Sequence, residues 1–275
     1  MKDIYEKAKA VTVWLGTKAD NSGLALKTIQ AMHLIADMRA KARLWQARPI
    51  FLQSFAFMTP YPQLLGIGED QTELLCSALL VAAPAYASPN MEFAKMAAEA
   101  LRKLFDRPWW QRVWIVQEVT VPHKDIFVMC GKDSVTWESC QEASDLYGSF
   151  DRFALSDLTL AVPFYNIDRL LRIQRARRDA TGPTRKRSLS LATLCKNYMH
   201  FGATNNRDRV YALLGLAEDI DLATYTVDYE QSTLSTYLYM TRYLIEKHQN
   251  LDIFGFCCYP SWISWCPYWV WRYIL

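Results

Sequence analysis

A single carboxylate, Glu118, stands near the end of the apolar and aromatic stretch RPWWQRVWIVQEV, residues 107–119. If this stretch is one helix, Glu118 shares a stripe with Trp114, which lies one turn earlier along the chain. The same stripe continues back through Gln111 to Arg107. Burial beside an indole raises the pKa of a carboxyl group unless an arginine offsets the cost of the charge. A carboxylate placed in this way can act as a general base or can hold a ribose hydroxyl group.

The same pattern also fits a purely structural interpretation. Glu118 could form an ion pair with Arg107 or Arg112 and so hold two elements together, because perturbed carboxylates are often structural. Large aromatic side chains dominate core packing. Trp110 and Trp114 are therefore candidates for the core as well as for a surface that binds a ligand. The residue pattern alone leaves both interpretations open.

A second charged cluster, Arg207, Asp208 and Arg209, opens the apolar run NNRDRVYALLGLAED. The run has no glycine-rich cradle of the kind that binds phosphate groups. We expect Asp208 to tie the start of this helix to a neighbouring element. One candidate for that element is Glu118 itself, reached through Arg207 or Arg209.

Other kinds of site find little support in the sequence. The seven cysteines form no CxxC pair and have no histidine at metal-ligand spacing, so we expect no metal site. The four histidines have no serine or aspartate partner at a spacing typical of a nucleophilic triad. A net charge of +3 is too weak to indicate nucleic acid, and no nucleic-acid-binding signature is present.

The location of the protein follows from what its apolar segments lack. The N-terminus has no apolar core typical of a signal peptide, and an odd number of cysteines fits reduced thiols. The run LLCSALLVAAPAYA is shorter than the roughly 20 residues that a span requires. The C-terminal run WISWCPYWVWRYIL is interrupted by Pro267 and Arg272. We expect a cytoplasmic protein without a membrane span.

Two strands and a series of helices would position these residues. Short β-branched runs that end in glycine, AVTVWLG at 10–16 and DIFVMCG at 125–131, predict buried strands. Apolar spacing and capping residues predict helices over the following ranges: 3–9, 23–45, 73–82, 91–105, 107–121, 136–147, 205–219, and a long helix after a short extended piece within 226–250.

This order predicts an α/β fold with two parts. Residues 1–150 would form the first part, with a large helical insertion at 17–105, and residues 151–275 a mostly helical C-terminal extension. Eight Lys or Arg residues against one acid mark 169–187 as a basic linker, since a charge run is usually a solvated segment.

Several of these stretches resemble one family when they are taken together. The segments DIYEKAKAVTVWLG, RPWWQRVWIVQEV, ATNNRDRVYALLGLAED and PSWISWCP are similar, in this order, to motifs of the fungal heterokaryon-incompatibility (HET) domain. The resemblance implies a self/non-self recognition module that triggers regulated cell death in filamentous fungi. It also implies a protein partner or self-association.

The resemblance carries an expectation about the fold as well. The family resembles TIR domains, which implies a parallel sheet flanked by helices. Its domain normally opens with the strands YxALSYxWG and WIDxxCINQ, and neither motif is found here. We therefore expect an N-terminally truncated domain with an incomplete TIR-like parallel sheet.

The TIR comparison also implies a chemistry. In TIR enzymes that cleave NAD, a helix carries the pattern Wxx(K/Q)E, and its glutamate is catalytic. Trp114, Gln117 and Glu118 match this pattern. The match implies that Glu118 is catalytic and that Trp114 and Trp110 contact a substrate, with NAD as the substrate and no cofactor. Arg107, Arg112, Arg207, Asp208 and Arg209 would then be structural. A non-enzymatic signalling scaffold, or an inactive fragment, is the alternative.

Overall fold

The protein was analysed as a computed structural model that describes residues 2–41, 78, 81, 91–122, 125–149, 162, 164–178, 189–198, 201–221, 225, 227–251 and 253. In chain order the elements are α1 (Lys2–Lys7), β1 (Val11–Trp14), α2 (Ser22–Lys41), α3 (Met91–Phe105), a 3-10 helix (Pro108–Gln111), α4 (Ile115–Thr120), β2 (Ile126–Cys130), β3 (Asp133–Thr136), α5 (Trp137–Ser149), α6 (Tyr165–Arg178), α7 (Leu191–Tyr198), α8 (Asp208–Leu214) and α9 (Thr233–His248).

The chain divides into two compact units, each built from segments that are distant in the sequence. The helical unit comprises Met1–Ala8, Gln111–His123 and Arg172–Leu275. The sheet unit comprises Lys9–Trp110 and Lys124–Leu171. The predicted boundary near residue 150 lies outside the described residues and stays a prediction.

The sheet unit confirms the predicted α/β class, but its sheet is mixed rather than parallel. The three described strands lie in the order β1-β2-β3. β1 runs parallel to β2, with Val11 opposite Ile126, whereas β3 is antiparallel to β2. The sequence did not predict β3, which is only four residues long. β3 follows β2 through a tight turn in which Gly131 has a positive φ of 61°, and such a short connection can join only antiparallel strands.

The sheet unit also contains helices α2, α3 and α5, and α2 packs against both of the others. Small and branched residues fill the interface, with Ala25, Ile29, Ala97 and Leu101 fully buried. The predicted N-terminus of α5 is confirmed, because Thr136 Oγ1 accepts a hydrogen bond from the backbone N–H of Ser139 at 3.1 Å. The predicted helix at 73–82 falls almost entirely outside the described residues.

An aromatic cluster forms part of the core of the sheet unit. Trp110 is 0% exposed. Its ring meets Phe105 and Trp109 edge-on, at centroid distances of 4.9 and 4.8 Å, and lies nearly parallel to Trp137 at 6.2 Å. Edge-to-face pairs of this kind add to the gain from burial alone.

The helical unit contains α1, α4, α7, α8 and α9. Helix α8 packs against both α4 and α7, and α1 packs against α4. Ser232 caps α9 by accepting a hydrogen bond from the N–H of Ser235 at 3.0 Å. Among the helices of the described residues, none has the length and apolarity needed to cross a membrane.

The basic stretch at 169–187 differs from the predicted linker in its first ten residues, which belong to α6. The reason is an apolar face that the charge count conceals. Ile167, Leu170, Leu171 and Ile173 are buried at helical spacing, while Arg172 is exposed. Residues 179–187 lie outside the described part of the chain.

We expect Trp110→Ala to destabilise the protein by about 3–5 kcal/mol, because it empties a fully buried indole site. Trp14→Ala is the matched control, since Trp14 is 53% exposed, and its effect should stay within about 0.5 kcal/mol. Urea unfolding followed by circular dichroism measures both. Equal effects from the two substitutions would contradict the described core.

Candidate functional site

The stretch from Arg107 to Val121 is not the single helix that the sequence predicts. It forms a 3-10 helix over Pro108–Gln111, a bridge at Arg112, a turn, and only then α4. Gly202 causes the interruption, because its N–H donates to the carbonyl oxygen of Gln111 and its carbonyl oxygen accepts from the N–H of Val113 at 2.9 Å. A side chain at Gly202 would place its Cβ 3.2 Å from the Gln111 oxygen, so this approach favours glycine.

Arg107 therefore does not share a helical stripe with Glu118, and that prediction is wrong. The Arg107 guanidinium lies in the sheet unit, where it donates to the carbonyl oxygens of Leu15 at 2.7 Å and Thr17 at 3.0 Å. A third contact reaches Ala19 at 3.3 Å. These contacts fasten the loop that follows β1 and give Arg107 a structural role.

The two tryptophans assigned to a substrate surface have different surroundings. Trp110 is completely buried, so its ring presents no surface on which a ligand could lie. Trp114, in contrast, is partly exposed.

Trp114 is held by the start of helix α8. Its indole Nε1 donates to Asp208 Oδ2 at 3.1 Å, and the hydroxyl of Tyr229 donates to Asp208 Oδ1 at 2.7 Å. Burial, followed by the hydrogen bond to Asp208, raises the pKa of Tyr229 and keeps its phenol protonated. Asp208 thus uses both carboxylate oxygens to connect α8 with its neighbours.

The arginines beside Asp208 have partners of their own. Arg207 donates through Nη1 to the carbonyl oxygen of Tyr229. Arg209 lies beside Tyr237, where its positive charge opposes the burial that raises the pKa of Tyr237 to about 12.

Gln117 is the second anchor of α4 and is only 2% exposed. Its Nε2 donates to the carbonyl oxygen of Ala212 in α8 at 2.8 Å. At the C-terminal end of α4, Gln174 Nε2 donates to the carbonyl oxygen of Val119 at 2.5 Å. That carbonyl lies in the last turn of α4, where no backbone N–H of the same helix can donate to it. The sequence signal for Gln117 was an amide inside an otherwise apolar run.

Glu118 is partly exposed, in contrast to Gln117. The phenol of Tyr5, in α1, lies near enough to Glu118 and Arg112 for both charges to act on its pKa. Burial raises the pKa of Tyr5, the negative charge of Glu118 raises it further, and the positive charge of Arg112 opposes the shift. The sequence pattern does not single out Tyr5, which lies within the segment DIYEKAKAVTVWLG.

Together these residues form what we term the Glu118 site: Tyr5, Arg112, Trp114, Glu118 and Asp208, all in the helical unit. It offers a carboxylate as an acceptor, a phenol as a donor, a guanidinium, and a partly exposed indole one turn from the carboxylate. Such a set can hold hydroxyl groups and an aromatic ring. Within the described residues, no three His, Cys, Asp or Glu side chains come together as metal ligands.

Comparison with known proteins assigns the N-terminal part of the chain. Residues 1–118 match the family model described as heterokaryon incompatibility protein (HET). The predicted resemblance to the HET family is confirmed for these residues. The matched HET region includes Tyr5, Trp114 and Glu118, whereas Asp208 lies outside it.

A similarity beyond the HET region extends along nearly the whole chain. Heterokaryon incompatibility protein 6, OR allele, of Neurospora crassa is 26% identical over 270 residues, which cover 92% of this chain and 36% of the relative. The chain therefore spans about a third of the length of that curated relative. No solved structure matches the chain.

A double-mutant cycle tests the anchoring of Trp114. Because Trp114→Phe and Asp208→Ala remove the same hydrogen bond, we expect a coupling free energy of about 0.5–3 kcal/mol. The free energy of unfolding of the two single variants and the double variant gives this value. Glu230→Ala, at an exposed position, replaces Asp208→Ala in the control cycle and should show coupling below about 0.5 kcal/mol. Equal coupling in both cycles would contradict the contact.

Proposed function

We propose that this chain is part of a fungal incompatibility protein, a self/non-self recognition module that triggers regulated cell death. The observation that carries this proposal is the HET region at residues 1–118. The similarity to an incompatibility protein along 92% of the chain supports it. The proposal includes a cytoplasmic location and either a protein partner or a second copy of the chain.

The chemistry proposed for this function is cleavage of NAD at the Glu118 site. Two observations favour it. Trp114 and Glu118 lie one helical turn apart, and the carboxylate of Glu118 stays partly exposed while its neighbour Gln117 is buried. A partly exposed carboxylate is within reach of a substrate, whereas a fully buried side chain is not.

In this proposal the side chains have distinct roles. Glu118 accepts a hydrogen bond from a hydroxyl of the nicotinamide ribose, and the indole of Trp114 stacks on an aromatic ring of NAD. The glycosidic bond to nicotinamide breaks, and nicotinamide leaves with the bonding electron pair. Water then forms the new bond to the ribose carbon and releases a proton. NAD is a substrate here and not a cofactor.

A non-enzymatic scaffold is the second candidate, and a different observation favours it. Gln117 and Trp114 both bind α8, at Ala212 and Asp208. Part of the Trp-Gln-Glu pattern thus serves to hold two helices together. On this account the protein would act through assembly alone.

Release of nicotinamide from NAD by the full-length protein separates the two candidates. We expect the wild-type protein to release nicotinamide and Glu118→Gln to lose this activity by at least about 100-fold, because the substitution removes the negative charge at the reacting ribose. Glu230→Gln, which removes one charge at an exposed position of the same unit, should keep the activity.

The same variants are then expressed in fungal cells. Cell death that requires Glu118 and coincides with loss of cellular NAD supports cleavage. Cell death that persists in Glu118→Gln, with no fall in NAD, would contradict cleavage and favour the scaffold.

A further inference from the structure

The indole of Trp114 is held by a side chain that lies beyond the HET region. Trp114 stands directly before α4, and its side chain is partly exposed. An indole has one N–H donor and no acceptor. Trp114 uses this donor on Asp208 Oδ2 at 3.1 Å, and Asp208 is the first residue of α8. The bond therefore fixes which edge of the ring faces α8.

Asp208 is itself held in one orientation. Its Oδ2 accepts from Trp114, and its Oδ1 accepts from the hydroxyl of Tyr229 at 2.7 Å. Its backbone N–H donates to the carbonyl oxygen of Asn205 at 2.9 Å. A carboxylate that gives one oxygen to each of two donors cannot rotate without breaking a bond, and bonds to a charged acceptor are strong. The carboxylate thus links the position of Tyr229 to that of the indole.

Tyr229 is anchored at three points although it is 45% exposed. Besides the bond from its hydroxyl to Asp208, its carbonyl oxygen accepts from Arg207 Nη1. Its ring meets the ring of Tyr211 edge-on, at a centroid distance of 5.1 Å. Tyr211 is only 6% exposed, and its own hydroxyl donates to the carbonyl oxygen of Asp228 at 2.8 Å. A buried and hydrogen-bonded residue therefore supports the ring of Tyr229.

We propose that Asp208 and Tyr229 are positioning residues for Trp114, which together fix the plane in which the indole meets an aromatic ring of the substrate. Both residues act through the indole and not on the substrate itself. The link to a substrate rests on the proposed NAD cleavage, whereas the restraint on the indole rests on the measured contacts among the three side chains.

This inference extends the functional part of the chain beyond the family match. The match ends at residue 118, whereas Asp208 and Tyr229 both follow it in the sequence. Residues 1–118 alone contain Trp114 but lack the two side chains that orient it. A stacking surface of defined orientation consequently requires the helical unit as far as Tyr229.

Tyr229→Phe removes the hydroxyl and retains the ring that packs on Tyr211, so it isolates the positioning role. We expect the KM for NAD to rise by about 3-fold to 10-fold with kcat within about 2-fold of the wild type, because stacking is present in the ground state and the transition state alike. The matched control is Tyr165→Phe, at a tyrosine that is 54% exposed, which should keep both constants. In a protein that cleaves NAD, an unchanged KM in Tyr229→Phe would overturn the proposal.

A second readout does not need any enzymatic activity. The indole N–H of Trp114, labelled with 15N and assigned by its loss in Trp114→Phe, is followed by NMR as it exchanges with solvent in the full chain. Asp208→Ala should accelerate this exchange by at least about 10-fold, because it removes a charged acceptor, and Tyr229→Phe should accelerate it by a smaller factor. The indole N–H of Trp110, which is fully buried in the sheet unit, should keep its rate and so report an intact fold.

The two readouts keep the hypotheses apart. If the wild-type protein releases no nicotinamide but the exchange of the Trp114 indole responds as expected, the proposed chemistry fails and the restraint on Trp114 is upheld. If Tyr229→Phe leaves that exchange unchanged, positioning by Tyr229 is refuted, whatever the enzymatic result.

Discussion

The buried hydrogen bond from the amide of Gln117 to the carbonyl oxygen of Ala212 joins two segments that are 95 residues apart in the chain. The position of α4, which has only six residues, depends on this hydrogen bond. A helix of this length is not stable by itself, because the entropic cost of forming its first turn exceeds the free energy gained from its few backbone hydrogen bonds. One such hydrogen bond contributes about 1 kcal/mol, but a buried carbonyl left without its donor costs about 1–3 kcal/mol. The contact therefore acts mainly by excluding other arrangements of α4.

This constraint divides the Trp-Gln-Glu pattern into two kinds of residue. Gln117 is buried and serves the packing of α4 on α8. Glu118, the next residue, points away from that interface far enough to remain partly exposed. Trp114 does both, since its N–H binds Asp208 while the ring stays partly accessible. The pattern thus places a buried structural amide directly beside a partly exposed carboxylate.

Local signals in the sequence were sufficient for most elements. The glycine-ended runs predicted β1 and β2, and Thr136 marked the start of α5, because strands and caps depend on residues close in the chain. The helix predicted at 107–121 failed because Gly202, almost a hundred residues away, interrupts it through backbone hydrogen bonds. The position of Arg107 was predicted wrongly for a related reason. Its partners are backbone carbonyl oxygens, which every residue has, so the sequence cannot show which ones it binds. Tyr5 was missed because proximity between α1 and α4, which are far apart in the chain, has no spacing that a sequence could show.

Hydrogen exchange of the full chain, compared between the wild type and Gln117→Leu, tests the central role of this contact most directly. Leu is similar in size to Gln but cannot donate to Ala212. The account predicts that backbone amides of α4 lose protection in the variant together with those of α8, while amides of β2 in the sheet unit keep theirs. Unchanged protection of α4 in Gln117→Leu would show that its position does not depend on the hydrogen bond to Ala212, and would contradict the account.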